Sequence, residues 1–264
     1  MGVDRILVTG DLTHISLPQE FGVAAEQLAR LGSPERVFLI PGNHDCYVPV
    51  EPSKSWDRWS AYLHGDPGDA LDPALAEVLS PLAEGRAPTH ADYPTLRITG
   101  SLAMIGLCSA IPMPVFVAGG ELGSRQLERL ERMLALLGER GLCRVVMIHH
   151  PVAAHGESAR RALRDGGELR AVLARAGAEL VIHGHKHRRR IAMLEGPGAP
   201  IPAIGVPSTS EVGSRPEKQA QYHVYTVARG VDARFGVTDC EVRAYDATSG
   251  RFVAAADPIE LPTV

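Results

Sequence analysis

Four short apolar runs in this chain each stop at a cluster of polar side chains, and that repetition constrains the fold more than any other feature. Ile6-Leu7-Val8-Thr9 runs into Gly10-Asp11, and Val37-Phe38-Leu39-Ile40 into Pro41-Gly42-Asn43-His44-Asp45. Val145-Val146-Met147-Ile148 runs into His149-His150-Pro151, and Leu180-Val181-Ile182 into His183-Gly184-His185-Lys186-His187. A short continuous apolar run reads as a strand buried on both faces. In open α/β sheets ligands bind beyond the carboxyl ends of such strands. Four segments would therefore deliver oxygen and nitrogen ligands to one edge of one sheet.

Helical patterns alternate with these strands. In 18–31, Phe21, Ala24, Ala25, Leu28 and Leu31 share one face and Gly32 stops the pattern. Ser124 reads as the N-cap of a helix with Leu127, Leu130, Met133, Leu134 and Leu137 on one face, ended by Gly138. A third helix is expected over 168–176. Beyond His187 the signals turn to β, with alternation through 222–227 and a further run near 242–245. Such a sequence predicts an α/β fold, 1–264 as a single domain, with an irregular insertion at about 46–95 rich in Pro, Asp and Gly. Trp56, Trp59 and Tyr62, spaced by three, read as a short helix packing its aromatic side inward. Ile111-Pro112-Met113-Pro114-Val115-Phe116 reads as a proline-stiffened loop lining the cleft.

The residue types at the strand ends suit metal chemistry. An Asp can bridge two ions, an Asn carbonyl binds without adding charge, and imidazole is the commonest protein ligand for several transition metals. Gly10-Asp11, Gly42-Asn43-His44-Asp45, His149-His150-Pro151 and Gly184-His185-Lys186-His187, in this order, resemble the motifs of the calcineurin-like metallophosphoesterases, in particular the bacterial branch that includes class III cyclic-nucleotide phosphodiesterases. The resemblance spans about 4–210. It implies a four-layer αββα sandwich and two divalent ions (Fe, Mn, Zn or Co) roughly 3.5–4 Å apart that activate a water for attack on phosphorus. Asp11 would bridge both ions, Asn43, His149 and His185 would complete the shell of the second, and His187 would bind the first. His44 would act on the departing oxygen without ligating metal, and Asp45 would orient it. The substrate would be a small phosphoester, with a phosphodiester as the expected type.

One family element is absent: an Asp and a His separated by one residue, on a strand before the Gly-Asp motif. The expectation is therefore a sandwich lacking its first strand, with the second metal site complete and the first reduced to Asp11 and His187. Met1 would then be an internal start, and the chain as given would bind at most one ion tightly. His14, three residues after Asp11, has a spacing that suits a substrate-facing role better than ligation. The alternative is a truncated or inactive metal-binding protein. A metallo-β-lactamase-like hydrolase fits less well, because position 186 is Lys where that class expects its own His- and Asp-containing run.

A net charge of −4 argues against a nucleic-acid surface despite Arg188-Arg189-Arg190, which reads as the solvated start of a strand. With no apolar run of membrane-spanning length and no secretory start, the expected location is cytoplasmic. Cys46, Cys108, Cys143 and Cys240 are scattered and read as reduced thiols. The sequence leaves oligomeric state open.

Overall fold

The computed structural model describes residues 2–68, 71–114, 116–153, 158–212, 218–230, 234–255 and 257–261; Met1 and Val115 lie outside the described residues. Strand β1 (Ile6–Val8), helix α1 (Pro18–Leu31) and strand β2 (Val37–Leu39) come first. A stretch of 3-10 turns with two single-turn helices, α2 (Ser60–Leu63) and α3 (Pro73–Ala76), leads to β3 (Thr95–Thr99) and β4 (Leu102–Gly106). Next are α4 (Ser124–Glu139), β5 (Cys143–Ile148), α5 (Gly166–Ala176) and β6 (Leu180–His183). The chain then becomes β-rich, with β7 (Arg190–Leu194), β8 (Ile201–Gly205), β9 (Gln221–Arg229), β10 (Phe235–Asp246) and β11 (Arg251–Ala254).

Six strands form one mixed sheet in the order β3-β4-β5-β6-β8-β7. The inner four are parallel, and the edge strands β3 and β7 run antiparallel to their neighbours. The parallel pair β1-β2 and the antiparallel set β11-β10-β9 form two smaller sheets.

Alternation along each strand decides what each face covers, because successive side chains point to opposite sides. In the large sheet Ala103, Ile105, Val146, Ile148 and Val181 face the apolar stripes of α4 and α5, among them Leu130, Leu134, Leu169 and Leu173. The intervening Met104, Val145, Met147, Leu180 and Ile182 face Val237, Cys240 and Val242 of β10 together with Phe38 of β2. On the other side of β2, Val37 and Leu39 pack against Phe21, Ala24 and Leu28 of α1 and against Trp59 and Leu63. Helices, large sheet, smaller sheets and α1 are thus stacked in that order. Burying each Leu- or Phe-sized side chain in these interfaces contributes roughly 1.5–3 kcal/mol.

Both ends of α4 differ from the sequence reading, and α5 starts at Gly166, two residues before the expected 168. Ser124 is the first helical residue of α4 rather than its cap; Gly123, with φ at 81°, occupies the cap position. Gly138 lies inside α4, and the chain leaves the helix through Arg140 and Gly141, the latter at φ 67°. A positive φ costs glycine little, so the turn falls at Gly141, not at the first glycine reached. The aromatic triad packs inward as expected. Trp59 is fully buried with its indole N–H on Phe21 O, and Tyr62 donates to Gly32 O. Arg188-Arg189-Arg190 leads into β7, with Arg189 paired to Asp257.

Candidate metal centre

The exits of β1, β2, β5 and β6 converge at one place. Gly10 and Gly42 make that possible: a Cβ on Gly10 would overlap the backbone of Gly42, and a Cβ on Gly42 would overlap Asp11. The close approach of the two loops requires glycine at both. A backbone bond from Gly184 N to His149 O, 3.1 Å, joins the exits of β5 and β6 in the same way.

Asp45 builds the floor of this junction. Its Oδ2 accepts from Asp11 N and Gly42 N, each at 2.9 Å, and its Oδ1 accepts from Thr13 N at 2.9 Å and Thr13 Oγ1 at 3.1 Å. The sequence reading gave Asp45 the task of orienting His44. Both oxygens are committed to the β1 and β2 exits, and the His44 ring is held instead through Nδ1 by His14 O at 2.5 Å. Burial and the neighbouring Asp11 charge push the Asp45 carboxyl up to about 6, against the pull of the hydrogen bonds from Gly42 and Thr13. Because all three backbone partners can only donate, the group serves them best as a carboxylate.

Above this floor sit four of the five expected ligands. Asp11 Oδ2 lies 3.2 Å from His149 Nε2, and Asn43 Oδ1 lies 3.0 Å from His149 Nε2 and 2.9 Å from His185 Nδ1. His149 Nδ1 is 2.7 Å from Thr9 O. A carbonyl can only accept, so Nδ1 carries a proton and Nε2 points towards Asp11 and Asn43. In the neutral ring His149 Nε2 then faces two oxygens with no proton of its own, a contact that a second proton or a metal ion would satisfy, whereas His185 Nδ1 can donate to Asn43 Oδ1 from a neutral ring; adjacent donors around an octahedral ion with bonds near 2.1 Å stand about 3 Å apart. Burial opposes ionisation of Asp11, but His149 and a hydrogen bond from His44 N hold its carboxyl well below the usual carboxylate range. Burial and the adjacent His150 push the His185 imidazole down to about 2. Asn43 Nδ2 and His185 Nε2 are buried without a hydrogen-bond partner.

Counting only His, Cys, Asp and Glu, no group of three positioned to hold a metal is found among the described residues. The amide oxygen of Asn43 is what connects His185 to the Asp11–His149 pair. His187 stands apart from the four: its side chain is half exposed and its Nδ1 lies 3.6 Å from Glu211, a residue to which the sequence pattern assigned nothing. Asp11, His185 and His187 all adopt positive φ (60°, 68° and 50°), a conformation uncommon outside glycine and concentrated at functional sites.

The paired histidines divide their labour. His149 faces the cluster, whereas His150 is satisfied elsewhere, through Ser109 Oγ on Nδ1 at 2.7 Å and Ala118 O on Nε2 at 3.2 Å. His44 is half-buried beside the cluster, with Tyr47 edge-on to its ring at 4.7 Å and His14 stacked at 5.7 Å.

The family model for calcineurin-like phosphoesterases matches residues 1–189. The chain belongs to the calcineurin-like phosphoesterase family. It is accordingly a phosphoric ester hydrolase, and metal-dependent hydrolysis is the chemistry that membership supports. Among solved structures, a dimetal phosphatase from Danio rerio is similar over 86% of this chain and 82% of its own, at 11% identity and a TM-score of 0.41. GAP50, the anchor in the inner membrane complex of Plasmodium, is similar over 97% of this chain and 84% of its own, at 13% identity and a TM-score of 0.37. No curated protein matches the chain. Among the described residues no helix is long and apolar enough to cross a membrane.

Proposed function

We propose that this phosphoesterase is a phosphodiesterase whose metal centre is held by Asp11, Asn43, His149 and His185, with His187 contributing to a second ion beside Asp11. The observation that carries the reading is the convergence of Asp11 Oδ2, Asn43 Oδ1, His149 Nε2 and His185 Nδ1, with neighbouring contacts of 2.9–3.2 Å. Divalent ions bound there would supply Lewis acidity and ease deprotonation of a water. One carboxylate among three neutral donors keeps such a site positive enough to attract an anionic phosphoester.

The chain's own residues then divide the work. Thr9 O fixes the tautomer and direction of His149, and His44 N fixes one oxygen of Asp11. His14 O fixes the ring of His44, so that its free nitrogen can pass a proton to the departing alkoxide. The hydroxide derived from water adds to phosphorus and the ester P–O bond breaks; His44 as imidazolium, its Nδ1–H held by His14 O, gives its Nε2 proton to the leaving oxygen, and the proton released by the water returns through solvent to restore it.

Hydrolysis of bis(p-nitrophenyl) phosphate and of p-nitrophenyl phosphate, with Mn, Fe, Zn or Co added, tests this reading. The diester should be favoured. His44→Ala should lower kcat by roughly 10²–10⁴-fold with metal content kept, and Asp11→Ala should remove both metal and activity. Loss of metal in His44→Ala, or full activity in both variants, would refute the assignment.

A further inference from the structure

Beside the metal centre the chain builds an apolar wall. After β4, Gln126 of α4 binds both Cys108 N and Cys108 O, at 2.8 and 3.0 Å. The Glu121 N to Ser109 O bond, 3.2 Å, closes the loop between them. His150 pins the same loop from below through Ser109 and Ala118, and Ala118 N donates to Arg160 O at 2.9 Å. The segment held between these pins is the proline-rich stretch around Met113. It leans over the exit of β2, so that Ile111, Met113 and Val117 line a shallow crease with Asn43, Cys46 and Tyr47.

The composition of this crease is selective. One end is Asn43, which contributes to the metal cluster, and Tyr47 joins it to the His44 ring. None of the six lining residues is Lys, Arg, Asp or Glu. The apolar part of the lining is Ile111, Met113 and Val117, all from the one loop.

We infer that this crease is the subsite for the ester group of the substrate, and that it selects an uncharged aryl group over a small alkyl group such as methyl. The inference rests on the reading of the neighbouring cluster as a phosphoester site. The lining offers no Arg or Lys that a second phosphate would call for, whereas an aryl group would lie on Ile111, Met113 and Val117, and a methyl group would reach little of them.

Binding and turnover separate this idea from the reading on which it rests. Phenylphosphonate and methylphosphonate, neither hydrolysable, are titrated calorimetrically into the metal-supplemented full chain, and kcat/KM is measured for phenyl and methyl p-nitrophenyl phosphate. Wild type should favour the phenyl member of each pair by about 10-fold or more. Met113→Ala and Val117→Ala should each shrink that preference several-fold, with the larger loss on the phenyl compounds, and Met113→Glu should abolish it. Equal treatment of phenyl and methyl compounds by wild type, equal losses on both in the variants, or no binding of either phosphonate would overturn the inference. A Met113-dependent phenyl preference in binding without any turnover would uphold the crease and refute the hydrolytic reading instead.

Discussion

Replacing Asp45 by Asn tests whether that residue holds the site together or steers His44. An asparagine keeps one acceptor oxygen, which can still serve Asp11 N and Gly42 N, while its NH2 must face Thr13 N, donor against donor. Losing one hydrogen bond to a buried charge costs about 1.5–3 kcal/mol, and the two bonds retained weaken to neutral strength at about 0.5–1 kcal/mol each. Relief of the burial and Asp11 repulsion that push the carboxyl up to about 6 offsets part of this. The net expectation is a loss of about 2–3 kcal/mol. Urea denaturation followed by tryptophan fluorescence provides the assay, since the Trp56 indole donates to Asp45 O at 2.8 Å and reports on this loop. The midpoint should fall with an unchanged slope. A loss below about 1 kcal/mol, accompanied by collapse of kcat, would show that Asp45 acts on the His44 ring after all.

Two further outcomes follow from residues outside the centre. Arg97 is buried and donates to the carbonyls of Pro34, Val37, Ala61, Tyr62 and His64, tying the irregular region to β2, so Arg97→Met should cost about 3–5 kcal/mol, read as a lower urea midpoint. Burial, with the Arg189 charge second, pushes His223 down to about 4, below the value of about 6.5 for an unfolded histidine. The unfolded chain therefore binds more protons in that window, and stability is full above about pH 6.5 and falls as pH drops towards 4. His223→Gln should flatten the slope by up to about 1.4 kcal/mol per pH unit, and an unchanged slope in urea titrations across that range would contradict the account.

What the sequence showed plainly was whatever is encoded in short spacing. The limits of α1 follow from its apolar face and Gly32, and the strand ends follow from apolar runs meeting Gly-Asp, Gly-Asn-His-Asp, His-His-Pro and Gly-His. Convergence of Asp11, Asn43, His149 and His185 was legible because each apolar run ends in a polar cluster, although the exits belong to two sheets, β1-β2 and the six-stranded one, and not to one edge of one sheet. The duties of Asp45, His150 and Arg97 were not. Apart from Gly42 beside Asp45, their partners lie more than thirty residues away, at Asp11 and Thr13, at Ser109 and Ala118, and at Pro34 through His64, and no local pattern encodes such contacts. The α4 cap was misread because Ser124 has the preferred side chain while the backbone turns at Gly123. Glu211 went unnoticed because it belongs to no motif and meets His187 only in three dimensions.

The most direct test of the central claim is metal content. Wild type, His149→Ala and His150→Ala would be purified, equilibrated with Mn or Zn, freed of excess ion and subjected to elemental analysis. If His149 faces a metal and His150 only pins a loop, wild type and His150→Ala should each retain about one ion or more per chain, and His149→Ala should lose at least about 10-fold in affinity. Equal metal retention in wild type and His149→Ala, or selective loss in His150→Ala, would contradict the proposed metal centre.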